Sequence, residues 1–98
     1  MMQDIRAELK EMLDESEWEW LIPHARREAI VVVTPNLDLV DVGVAIAGDN
    51  VESVQRWISE ALIYKPSQEE LTDWNGNQKK RFNTLIVQPY VLIQELAA

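Results

Sequence analysis

Cysteine is missing altogether from the 98-residue chain, so disulfides and thiolate chemistry are closed to it and a reducing compartment is the expected setting. Histidine occurs once, as His24. Without a second imidazole or any thiolate, the common zinc ligand sets cannot be assembled within one chain. The three glycines are too few for a phosphate-cradling loop, and no serine stands in a Gly-x-Ser-x-Gly elbow. No apolar run approaches the roughly 20 residues that span a bilayer, and MMQDIRAELKEMLDESE at the N-terminus is charged where a secretory signal is basic and then apolar. A cytoplasmic protein with no membrane contact is expected. Positive charge is scarce as well: nine Lys plus Arg face 17 acids, a net charge of −8. That balance disfavours nucleic acid and anionic lipid unless the basic residues gather on one face.

What the chain does have is the composition of a folded domain. Apolar residues make up 47% and charged residues 27%, and the length suits a single domain over residues 1–98 with no room for a second core. Ile5, Leu9, Met12 and Leu13 recur at i, i+4, i+7 and i+8, which predicts an amphipathic helix from residue 4 to about 14. Ser16 with Glu19 fits a capping box that opens a second helix through EWEWLIPHARR, with Pro23 a kink or a stop and restart. AIVVV at 29–33 switches to a β-branched run bounded by Thr34-Pro35-Asn36 and reads as a buried strand.

Asp38 is placed to cap a helix through LVDVGVAIA, and Gly48 to end it in a left-handed conformation. Asp49 with Glu52 makes another capping box, before a helix whose stripe of Val51, Val54, Ile58, Ala61 and Leu62 is expected to face inward. LIYK at 62–65 is a short strand stopped by Pro66. Ser67 with Glu70 caps a brief helix ending near Gly76, and Lys79-Lys80-Arg81 follow in a loop. TLIVQPYVLIQEL at 84–96 is β-rich, with Pro89 dividing it into two strands or bending one.

The stretch VGVAIAGDNVESVQRWISEALI, residues 42–63, resembles the winged helix-turn-helix of many bacterial regulators: Gly48 stands in the turn, and a strand leaves directly after the second helix. Such motifs usually place a small residue four positions before the turn glycine, where the helices cross. Here that residue is Val44, and Gly43 or Ala45 supplies the small side after a slight rotation. The expected fold is therefore α+β with a winged-helix-like centre, about five helices and a small three- or four-stranded sheet. Across nearly its whole length, through EWEWLIPHARREAIVVV, LDLVDVGVAIAGDNV and LIVQPYVLIQE, the chain also resembles a small uncharacterised bacterial family of unknown function with cyanobacterial members. That resemblance implies no activity, cofactor or site.

If the second helix read DNA, residues 49–60 would carry Ser53, Gln55 and Arg56 to it, with Lys79, Lys80 and Arg81 in the place of a wing. The outward face opposes this. Glu52 and Glu60 share it with Arg56, and each lies four residues from the arginine, so both can pair with it for roughly 0.2–0.5 kcal/mol. Specific readers neutralise phosphates, and an acidic face meets the backbone as a like charge. A basic triplet in a polar loop is usually a solvated turn, and Arg26 and Arg27 suit a helix C-terminus through its dipole.

Catalysis finds little support. Asp14, Glu15, Glu17 and Glu19 are acidic neighbours but lack the loop spacing that wraps calcium, and no catalytic, cofactor-binding or metal residue is assigned. Four tryptophans are many for this length. Trp18 and Trp20 project from nearly opposite sides of a helix, so one of them is exposed unless the helix lies in a groove. The leading reading is a non-catalytic protein-interaction or self-associating module with Trp18, Trp20, Tyr90 and Leu92 as contact residues. A DNA-binding regulator is the second reading and a small enzyme or ligand sensor the third. A homodimer through residues 84–95 is expected on the ground that both faces of those strands are apolar.

Overall fold

In the structure, a computed structural model, residues 5–96 are described. Chain order is α1 (Ile5–Met12), β1 (Asp14–Glu17), α2 (Trp18–Arg26), β2 (Ile30–Val33), α3 (Leu39–Ala47), α4 (Val51–Ser59), β3 (Ile63–Tyr64), α5 (Gln68–Asn75), β4 (Arg81–Val87) and β5 (Tyr90–Glu95). The class is α+β, and the described residues form five helices, as expected, and five strands, slightly more than expected. They form one mixed sheet in the order β1-β4-β5-β2-β3. β5 runs parallel to β2, and the other neighbours are antiparallel.

β4 and β5 are the two strands on either side of Pro89, joined through a cis Gln88–Pro89 peptide bond. They occupy the middle of the sheet and do not project as a wing. The succession α3, turn, α4, β3 is present, but it runs into the sheet's far edge. Because side chains alternate along a strand, the central strands supply two cores. Leu85, Val87, Leu92, Val33 and Ile63 pack with Leu9 of α1 and with Leu39, Val40 and Val42 of α3. On the opposite face Phe82, Val91, Ile93, Ile30 and Val32 pack with Trp18 and Leu21 of α2 and Trp74 of α5. Trp18, Trp74 and Phe82 touch as a tilted cluster with centroids 5.0–5.9 Å apart, the offset geometry that aromatic quadrupoles favour. Trp18 Nε1 donates to Asn75 Oδ1 at 2.8 Å, so the fully buried Trp18 indole keeps its N–H paired.

Helices on both faces remove the basis on which residues 84–95 were expected to form a dimer interface. Leu85, Val87, Val91, Leu92 and Ile93 are all buried within the chain, and Ile86 alone of the six is exposed. Gly43 makes the close approach of α3 possible: a Cβ there would lie 2.7 Å from Leu85 Cδ2 and 3.2 Å from Leu9 Cδ1. Its small size serves the helix–sheet contact, whereas the helix-turn-helix reading gave it to a crossing with α4.

Local signals came out unevenly. Asp38 caps α3 as expected, accepting from the Val40 and Asp41 N–H groups, and Ser67 with Glu70 forms the full capping box of α5. Ser16 caps nothing. It sits in β1, paired with Phe82, and the first N–H groups of α2 are taken instead by loop carbonyls, Trp18 N donating to Lys80 O and Glu19 N to Gln78 O. α2 then runs unbroken through Pro23. Asn50, and not Asp49, caps α4 by accepting from Ser53 N at 3.2 Å. Asp49 takes the left-handed conformation at φ 57, and Gly48 stays at φ −89, consistent with the tolerance of Asp for that region.

The largest departure is α4. None of its residues is buried, although Val54 and Ile58 were expected in the core. The helix is turned so that Val54 and Trp57 make partial contact with the α1–α3 core, and Ile58 is 57% and Val51 53% exposed. Its neighbours are α3 and the two-residue β3, so no layer covers the outer part of the stripe. Leu92→Ala should therefore cost about 2–5 kcal/mol and Ile58→Ala stay within about 0.5 kcal/mol, as read from urea melts. Equal losses would mean that α4 is buried in solution.

Tyr64 on β3 donates to Glu70 Oε2 at 2.9 Å, and the other oxygen of the same carboxylate accepts from Ser67 N. Burial first, then that hydrogen bond and the charges of Glu70 and Glu95, push the phenol from 10.0 up to about 12. A raised pKa means that the folded state holds the proton more tightly than the unfolded chain. The resulting stability is complete below pH 10 and is lost as pH rises towards 12. Tyr64→Phe should flatten that alkaline decline in stability and remove the latest tyrosinate absorbance step. An unchanged profile would show that Tyr64 is solvated.

Candidate functional site

The residues singled out in the sequence are scattered by the fold. Trp18 and Leu92 are fully buried, in the cores on opposite faces of the sheet, so neither can meet a partner. Leu92 drops out because β5 is the strand covered on both sides, and Trp18 because α2 turns it onto Trp74 and Phe82. Trp20 does protrude from α2, at 69% exposure, which agrees with the opposed directions of the pair. Tyr90 is 41% exposed at the start of β5.

The DNA-contact set divides in two. Gln55 and Arg56 are exposed on α4, and Ser53 is half-buried. Lys79, Lys80 and Arg81 lie by the other edge of the sheet. Lys79 pairs with Glu19 at 3.3 Å and Glu17 at 3.6 Å, Lys80 with Glu95 at 3.5 Å, and Arg81 with Glu15 of β1 at 3.2 Å. Its hydrogen bond to Glu19 and the charge of Glu17 raise the pKa of Lys79. β1 and β3 are opposite edges of a five-stranded sheet, about 19 Å apart at the usual strand spacing. The two basic groups thus share no face, and the triplet is already matched by acids.

The acids of residues 14–19 find their place in the same network. β1 is the edge strand DESE, and its carboxylates line β4 and the 78–80 loop. Among the described residues no cluster of three or more His, Cys, Asp or Glu is arranged to hold a metal ion. His24 Nδ1 accepts from Arg27 Nη2 at the end of α2, a local pairing that explains both residues without a site. No helix among the described residues is long and apolar enough to cross a membrane.

Two larger concavities stand out among the described residues, beside a smaller one of about 140 Å³ next to Lys65, Pro66 and Leu71. One of about 350 Å³ is mixed in character, lined by Leu13 and Leu39 as well as by Asp14, Glu15, Asp38, Asn83 and Gln94. Gln94 is committed elsewhere: its Nε2 donates to the carbonyls of Thr34 at 2.8 Å and Leu37 at 2.7 Å, closing the β2–α3 loop. The other is a groove of about 490 Å³ on the α3 face of the sheet. Val54 and Ile58 of α4, with Ala61 just beyond its end, form one wall, Ile46 of α3 closes one side, and Val31, Ile63 and Tyr90 make the floor. Lys65 is the one charged side chain lining it, and it forms no ion pair among the described residues.

Reasoning from sequence singled out one groove residue, Tyr90, as a contact. It assigned Val54 and Ile58 to the core and passed over Val31, Ile46, Ile63 and Lys65. A signal was present in the strong amphipathicity of α4. The short strand after α4 was readable as well; what no local window shows is that this strand is the edge of the sheet, so that no further layer covers the stripe.

Comparison with known proteins agrees with this fold. The family model described as "Protein of unknown function (DUF2288)" matches residues 4–95. No curated protein gives a match. The NMR solution structure of PA1075 from Pseudomonas aeruginosa is similar, with 31% identity and a TM-score of 0.82, over 100% of this chain and 90% of that one. With the match running from α1 to the last residue of β5, the chain belongs to the family of proteins of unknown function DUF2288.

Proposed function

We propose that this chain is a non-catalytic protein-interaction domain that engages another polypeptide at the groove between α4 and the β3 end of the sheet. The observation that carries the reading is α4 itself: an amphipathic helix with none of its residues buried, whose apolar side walls a groove of about 490 Å³. Exposed apolar surface is unfavourable by roughly 25 cal/mol per Å², so continuous apolar patches on folded chains mark binding surfaces more often than accidents. The groove holds no convergent set of acid, base and nucleophile, which favours binding over catalysis. Residues 84–95 contribute Tyr90 to this surface and little else.

A photo-crosslinking benzoylphenylalanine in place of Ile58 should trap another polypeptide in cells of the source organism, and the same group in place of Thr72, exposed on α5, should not. Absence of any adduct from position 58, or equal adducts from both positions, overturns the reading. Duplex DNA is not the expected partner, given the net charge of −8 and a basic triplet engaged with acids. Fluorescence anisotropy with mixed duplexes should show no binding in the micromolar range at physiological salt. Submicromolar affinity that weakens with added salt would restore the regulator.

A further inference from the structure

The groove adjoins a sheet edge that is still open. Val32 pairs with Tyr64, and Thr34 N donates to Leu62 O at 3.0 Å. In an antiparallel ladder hydrogen-bonded and non-hydrogen-bonded positions alternate. Residues 62 and 64 therefore face β2, and Ile63 and Lys65 turn their N–H and C=O groups to the outer side. No backbone hydrogen bond from Ile63 or Lys65 to another segment is found among the described residues.

The two edges of the sheet are unlike. β1, at the far edge, is wholly polar and carries three carboxylates, the kind of charge that blocks strand pairing. β3 carries no carboxylate, and what limits pairing there is its two-residue length and the Lys65-Pro66 that follows it. The strand has a buried apolar Ile63, the apolar groove beside it and one unpaired cation, Lys65, at the rim.

Resting on the interaction reading above, we infer that the groove and the β3 edge together receive an extended segment of a partner protein, added as a sixth strand, with its terminal or side-chain carboxylate on Lys65. Strand addition of this kind uses edge N–H and C=O groups for affinity and pockets for alternate side chains for selectivity. Here the outer groups of Ile63 and Lys65 supply the first. The space between Ile58, Ile63 and Tyr90 supplies the second. Charge selects the occupant. A carboxylate complements the single unpaired cation in the groove, and charge-assisted hydrogen bonds are the stronger ones. A second copy of this chain, paired edge to edge about a twofold axis, would bring Lys65 near Lys65 and a net charge of −8 against −8.

A library of random hexapeptides displayed with free C-termini, selected on the whole protein, tests the inference. The expected outcome is enrichment of apolar residues at every second position. The best peptide should then bind about tenfold more weakly as its C-terminal amide, or as an internal segment lacking the acidic side chain. In the Lys65→Gln variant that difference should vanish while the apolar preference persists. Amide exchange by NMR should show new protection of Ile63 and Lys65 when the peptide is bound. Enrichment with a period of three to four residues, which reports a helical occupant, overturns strand addition. So does binding without protection of those two amides, a preference unaffected by Lys65→Gln, or no enrichment over Ile58→Asp. Mass measurement giving a dimer that Ile58→Asp dissociates would assign the edge to a second copy and overturn it too. If the crosslink from position 58 still traps a polypeptide in any of these cases, docking at the groove stands and only the extended form of the partner fails.

Discussion

Burial of β5 on both faces is the constraint on which this fold depends. Leu92 points to one side and Val91 and Ile93 to the other, and all three are sealed from water. An antiparallel hairpin can ordinarily leave one face solvated; this one cannot, because its apolar residues run consecutively. Helices are needed on both sides, and a chain of 98 residues has few to assign. α1 and α3 take one face and α2 and α5 the other. α4 is what remains, and apart from the partial contact of Val54 and Trp57 with the core it lies over the two-residue β3.

From this distribution the surface follows. The aromatic cluster of Trp18, Trp74 and Phe82 fills one core, with the Trp18 indole satisfied by Asn75. Gly43 lets α3 settle close to β4 in the other. Both cores lie over the middle of the sheet, and its margins are treated differently. The β1 margin is closed by carboxylates matched to Lys79 and Arg81. The β3 margin is two residues long and stays apolar beneath α4. Uncovered apolar surface therefore gathers at the margin where the chain ran out of cover, whereas at the other margin Glu15 and Glu17 are paired with Arg81 and Lys79.

Legibility in the sequence tracked the range of the interactions. The caps at Asp38 and Ser67 were readable because donor and acceptor lie within three residues. A break or a bend at Pro89 was readable for a similar reason, since proline cannot continue a ladder at an interior position; that it separates two strands was decided by the structure. β1 was not readable. Asp, Glu and Ser are poor strand formers, and DESE is a strand because β4 offers it a free edge. The same pairing removed the Ser16 cap and moved the start of α2, because loop carbonyls at 78 and 80 took the N–H groups that a side chain would have met. Asp49 was read as the cap of α4 because Glu52 completes a box with it, although Asn50 is of an equally suitable type. Which one serves depends on the turn, where Asp49 takes the positive φ and leaves Asn50 to accept from Ser53.

Composition and short-range pattern by themselves settled that the chain has apolar and polar residues in the proportions of a folded domain, that its class is α+β, and that it carries no thiolate. They also marked Trp18 and Trp20 as a pair of opposite fate, since two positions apart on a helix cannot share a face. The tertiary structure decided which of them is buried, that a wing-like hairpin would become the sheet's centre, and that the stripe on α4 faces a groove. The reason is that periodicity reports only that a helix has an apolar side. What meets that side depends on strand order, and strand order is set by pairings such as β2 with β5, between segments about 60 residues apart whose complementarity no local window contains.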